Sequence, residues 1–197
     1  MLPTKFVSQN FFYKFLLLFF CVFTIFSFIS SAVAQKRDNM TDEEDMKVRD
    51  AQEIDLRMEV YSKIINRRLT AIANPGAADS KESQKDNNNE WGALRTGTTA
   101  ELFWDIQKTL DESISKIDDV AERDQKNPLF GKAVHILADN CKNWLPKFRA
   151  LGEKASTEQE RNAIINSINS CSDVVQASVK VSKEVPKEAK EKKKKDS

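Results

Sequence analysis

The chain has 197 residues, with 31 Lys and Arg against 30 Asp and Glu and a formal net charge of +1. That near-balance argues against general nucleic-acid binding, which needs a basic surface. Gly and Pro are scarce, with five of each, and Ala, Glu, Lys, Ile and Leu dominate the periodic stretches, which favours an all-helical protein over a sandwich or barrel.

Lys5 and Lys14 precede a largely apolar run from Phe15 to Ile29, and Ala32-Val33-Ala34 follows before Gln35. A basic start, a short apolar core and an Ala-x-Ala end form a secretory signal peptide, residues 1–34, cleaved after Ala34. The run is shorter than the roughly 20 residues a membrane-spanning helix needs. Extended through Ala34 it just reaches that length, so a retained N-terminal membrane anchor is the alternative. Phe20 before Cys21 is too bulky for a lipoprotein signal. Nine of the twelve Phe fall in the leader, with two of the basic residues and no acids, so the exported part is close to neutral. Residues 35–40 read as a linker and 41–185 as one domain large enough for a core.

Four helices are predicted in that domain, packed as antiparallel hairpins in a four-helix bundle. The first opens at Thr41, where Thr41-Asp42-Glu43-Glu44 has the capping-box form with acids at the positive end of the helix dipole. Ala51, Ile54, Met58, Tyr61, Ile65, Leu69 and Ile72 step by three or four and share one face. Arg57, Lys63, Arg67 and Arg68 are expected on the opposite, exposed face. Asn74-Pro75-Gly76 stops the helix.

Residues 74–97 form a long polar loop between helices one and two. Ala77 to Glu90 has no large apolar side chain, so it cannot offset its ordering entropy and is expected to be mobile. Trp91 and Leu94 are expected to dock its end onto the bundle. Helix two opens at Thr98 with a capping-box partner in Glu101, and Leu102, Phe103, Ile106, Leu110, Ile114, Ile117 and Val120 form its stripe. Asn127-Pro128 then offers a cap and a first-turn proline for helix three. Phe130, Val134, Leu137, Cys141, Trp144, Leu145 and Phe148 are its buried face, with Pro146 set to kink or end it and Gly152 as a C-terminal cap. Thr157 with Glu160 is the third capping-box match. Helix four follows with the seam Ile164, Ile168, Cys171, Val175 and Ser178, closed by Pro186. From Lys187 on, a lysine-rich segment, residues 186–197 with Pro186, reads as a disordered basic tail.

Cys141 and Cys171 lie on the apolar stripes of consecutive helices, equidistant from the intervening turn at Ser156. An antiparallel hairpin sets the two sulfurs at one height, and an oxidising compartment would keep a disulfide between them. The alternative is a pair of buried free thiols. His135, the only histidine, reads as a residue at the core's edge. One histidine cannot supply the ligands of a di-iron bundle, and neither His-Glu-x-x-His nor Cys-x-x-Cys-His occurs, so no metal or cofactor is expected. The acids Asp42 to Asp45, Asp118, Asp119 and Glu122 read as solvated faces. Trp144 belongs to the core, whereas Trp91 and Trp104, if partly exposed, could line a groove for a ligand or partner. Lys192 to Lys195 keep the chain soluble or touch an anionic surface weakly.

No catalytic constellation is present. The leading expectation is a non-catalytic envelope protein, periplasmic or secreted, that binds a protein or envelope partner. Two alternatives stand beside it: a ligand-binding or chaperone-like module with an apolar groove near Trp91 and Trp104, and an enzyme using carboxylates or lysine.

Overall fold

A computed structural model describes residues 38–75, 90–124 and 126–183. The leader 1–34, most of the polar loop (76–89) and the tail 186–197 lie outside the described residues. Among the described residues there are five α-helices and no strand: α1 Asp42–Asp50, α2 Ile54–Ala73, α3 Thr99–Arg123, α4 Phe130–Gly152 and α5 Glu158–Ser178.

Local chemistry sets the helix starts. At α1, Thr41 Oγ1 accepts from the Glu44 amide at 3.3 Å while the Glu44 carboxylate accepts from the Thr41 amide at 3.1 Å. At α3, Thr98 and Glu101 make the same reciprocal exchange, at 3.2 and 2.8 Å. Each box satisfies two of the amides that a helix start leaves without a partner. The third match is only half realised. Thr157 accepts from the Glu160 amide at 3.1 Å, but the Glu160 carboxylate turns to the amide of Ser156, also at 3.1 Å.

The expected first helix is two helices. The chain leaves helical geometry at Ala51–Glu53, and side chains take up the freed carbonyls: Arg57 Nε donates to Ala51 O at 3.0 Å and Gln52 Nε2 to Arg49 O at 2.7 Å. Tertiary contact explains the break. Glu44 touches Arg68, 24 residues later. An uninterrupted helix would hold them roughly 36 Å apart at 1.5 Å per residue.

Helix α4 also departs from expectation. Asn127 Oδ1 accepts from the Leu129 amide at 2.9 Å, a local turn that delays the helix to Phe130. Pro146 lies inside α4, which continues to Gly152. Helix α5 ends at Ser178, ahead of Pro186, because its last amides tighten to bonds three residues back, as in Lys180 to Ala177 O at 3.0 Å.

Cross-helix contacts define the arrangement. Tyr61 with Glu112 and Arg68 with Asp105 make α2 and α3 antiparallel, and Cys141 with Cys171 and Gly152 with Ile164 do the same for α4 and α5. Asp55 with Lys132 and Asn66 with Trp144 make α2 and α4 parallel neighbours. Two antiparallel hairpins therefore pack side by side, and α3 runs parallel to α5. Met58, Tyr61, Ile65, Phe103, Ile106, Leu137, Trp144 and Phe148 fill the core. Phe148 joins the hairpins, with the Phe103 ring edge-on at 5.7 Å and Trp144 at 6.5 Å. Fully burying each such side chain contributes about 1.5–3 kcal/mol.

Candidate functional site

Arg68 overturns the expectation of an exposed cationic face on the first helix. It occupies a core position between Ile65 and Ile72 and is wholly buried, and so are Glu44 and Asp105. Its guanidinium grips both Glu44 oxygens and donates to Asn39 O at 3.0 Å. Arg67, on the next position, donates to Glu44 at 3.1 Å and to the carbonyls of Trp91, Gly92 and Ala93. Arg95 pairs with Asp105 at 3.1 Å and donates to Met40 O at 2.9 Å. The cluster thus clamps the segment before α1, the end of the polar loop, α2 and α3 together.

Chemistry by this cluster is blocked. The two Glu44 oxygens together receive four donors, which uses their acceptor capacity, so Glu44 has no lone pair for a substrate proton. Arg68 Nε makes no hydrogen bond, and Asp105 Oδ2 stands 3.5 Å away as its ion-pair partner. The cluster is a structural clamp. Its sequence signal is an arginine on the helical stripe itself, at the three-residue step from Ile65.

Cys141 and Cys171 face each other across α4 and α5, but as free thiols and not as the expected disulfide. Both are fully buried thiols, and a hydrogen bond to Cys171, together with burial, holds the Cys141 thiol well above its ordinary pKa. A buried thiol kept protonated is a poor nucleophile. His135 is half-buried, with Nε2 2.8 Å from Val181 O, where the chain after α5 crosses α4. Among the described residues no group of three or more His, Cys, Asp or Glu is arranged to hold a metal ion.

The two tryptophans sit in different settings. Trp91 packs against the core beneath Lys63, whose ammonium lies 4.4 Å from the ring centroid. Trp104 lines a hollow of about 440 Å³ between α3 and α5, with Gln107, Gln159, Asn162 and Asn166 around it. Trp91 does not contribute to that hollow.

A larger groove, about 680 Å³, opens between the C-terminal halves of α3 and α5 and the start of α4. Its floor is apolar: Ile114, Ile117, Phe130, Val134, Val174 and Val181. Its rim is acidic: Asp111, Asp118, Asp119, Glu122 and Asp173. None of the lining residues is basic. No protein-family model, curated protein or solved structure matches the chain.

The groove exists because the α3 stripe outruns its cover. Leu102, Phe103, Ile106 and Leu110 are buried, but Ile114, Ile117 and Val120 further along are only partly covered. The acids beside them outnumber the cations near them. Two cations of α3 itself come near the rim: Lys116, 3.9 Å from Asp119, and Lys108, one turn before Asp111. Loss of hydration, partly opposed by Lys108, raises the Asp111 carboxyl above its ordinary pKa. The expectation of solvated acids holds at exposed Asp118 and Glu122 but fails at Glu44, which is wholly buried against Arg68, and it misses the apolar floor that the rim acids surround.

Proposed function

We propose that the chain is exported by its leader and acts, after losing residues 1–34, as a non-catalytic helical interaction module in the periplasm or outside the cell. The observation that carries this reading is the apolar groove with its single-signed rim. Partly exposed aliphatic side chains side by side under five carboxylates suit a partner that brings both apolar contact and positive charge. No helix among the described residues is long and apolar enough to cross a membrane. Under this reading the leader alone would hold an uncleaved product at a membrane.

In the same compartment Cys141 and Cys171 close into a disulfide. The two thiols pass two electrons and two protons to the disulfide of a thiol oxidoreductase or of oxidised glutathione, and one S–S bond forms. The facing buried sulfurs and the export signal support this step.

Two measurements test the reading. Mass spectrometry of the product made by exporting cells is expected to show a chain beginning at Gln35. A photo-crosslinking amino acid at Ala177, an exposed position in the groove, is expected to trap one discrete partner protein, with the same residue at exposed Arg161 as control. A product that keeps its leader in the cytosol, or no adduct specific to Ala177, would remove the reading.

The Trp104 hollow favours a second reading, a site for a small polar ligand. Four side-chain amides there each offer a donor and an acceptor beside an aromatic face. Quenching of Trp104 fluorescence, absent in Trp104→Phe, across a panel of polar solutes would establish it.

A further inference from the structure

We infer that the groove between α3, α4 and α5 receives a cationic amphipathic helix from a partner protein. This rests on the reading of that groove as the interaction surface and names what fills it. Three observations converge on a helix with basic flanks. First, the walls are themselves helices, with backbone groups bonded internally, so they offer no ladder for an added strand; side chains must do the recognition. Second, the uncovered stretch from Asp111 to Glu122 rises about 17 Å at 1.5 Å per residue, the length of about three helical turns. An incoming helix with apolar residues at i, i+3/i+4 and i+7 would lay them on Ile114, Ile117 and Val181.

Third, the charges stand on both walls. Asp118 and Glu122 on α3 and Asp173 on α5 flank the apolar floor, so lysine or arginine on either side of the incoming stripe meets a carboxylate. The same rim repels nucleic acid and anionic lipid. The chain's own basic tail does not fit: Lys192 to Lys195 supply charge, but beyond Pro186 only Ala189 is apolar, so the floor would stay bare.

The test uses the full chain and a fluorescein-labelled peptide of about 14 residues, built from Leu and Lys with Leu at helical spacing. Fluorescence anisotropy is expected to show binding at least about tenfold tighter than for a scrambled peptide of the same composition, and weaker in high salt. The exposed-rim variant Asp118→Asn with Glu122→Gln and Asp173→Asn is expected to lower affinity about tenfold with an unchanged circular dichroism spectrum. Ala177→Arg, which changes the floor side, is expected to do the same. Equal affinity for the scrambled peptide, or rim and floor variants that bind as well as the parent, would overturn the inference. If the peptide fails while the Ala177 crosslinker still traps a partner, the helix is the wrong occupant and the groove keeps its role. If both fail, both readings fall.

Discussion

Arg68 and Glu44 meet fork to fork with neither side chain touching solvent, although they stand 24 residues apart on different helices. Removing one member of a buried pair leaves the other as an uncompensated charge, which costs about 3–5 kcal/mol. Glu44→Gln is therefore expected to lower stability by that order in urea unfolding. Replacing both, as Glu44→Leu with Arg68→Met, should recover much of the loss, because Arg67 keeps three carbonyl partners and Asp105 keeps Arg95. A loss below about 1 kcal/mol for the single variant would show that the clamp does not hold α1 in place.

Gly131 lies under the segment that follows α5, so close that an added Cβ would strike the Ser182 carbonyl. An exposed helical Gly→Ala change normally stabilises by about 0.5–1 kcal/mol. Here Gly131→Ala must lift residues 179–183 off α4 and separate His135 from Val181. We expect a net loss of about 1–3 kcal/mol, as for other overpacked sites. Limited trypsin digestion should show faster cleavage at the exposed Lys180 and Lys183. Unchanged cleavage with raised stability would mean that the contact yields freely.

The Cys141 thiol is held protonated by burial and by its neighbour, so bond formation should accompany folding rather than follow it. Refolding in a glutathione redox buffer is expected to yield a chain about 2 Da lighter, and the closed loop of about 30 residues should add roughly 3–4 kcal/mol in the chain-entropy model. The folded reduced chain should label slowly with a thiol reagent and rapidly in urea. Two alkylatable thiols in the refolded product would refute the bond.

Asp111 sets a pH dependence for the groove. Its folded pKa lies above the ordinary 3.8, so the folded state holds this proton more tightly than the unfolded chain. The contribution to stability is then complete below the unfolded value and is lost as pH rises through the folded one. Asp111→Asn is expected to match the parent in acid and to be slightly more stable at neutral pH, read from urea midpoints at both. Peptide affinity should fall on acidification as Asp111 takes up its proton. A variant less stable than its parent at neutral pH would contradict the shift.

Helix starts are legible in this sequence because their signals are short-range. Thr41 with Glu44 and Thr98 with Glu101 lie within one turn, and each pair satisfies itself whatever the rest of the chain does. Stripe residues such as Met58, Leu137 and Trp144 are equally readable, since helical period alone puts them together. The break after Asp50 is not, because no Gly or Pro marks it and its cause, the Glu44–Arg68 pair, is a long-range contact. Charge type misleads at the same place: arginine and glutamate read as surface residues unless a partner is known to be waiting. The groove fails for the opposite reason. Ile114 and Ile117 continue the α3 stripe without a change of pattern, and only the geometry of the neighbouring helices decides that the covering stops at Leu110.

The two walls of the groove belong to different hairpins: α3 comes from the first, while α4 and α5 come from the second. Whatever lodges there therefore touches both halves of the molecule and acts as a cross-brace, so that occupancy is felt as cohesion along the whole seam and not only at the mouth where it binds.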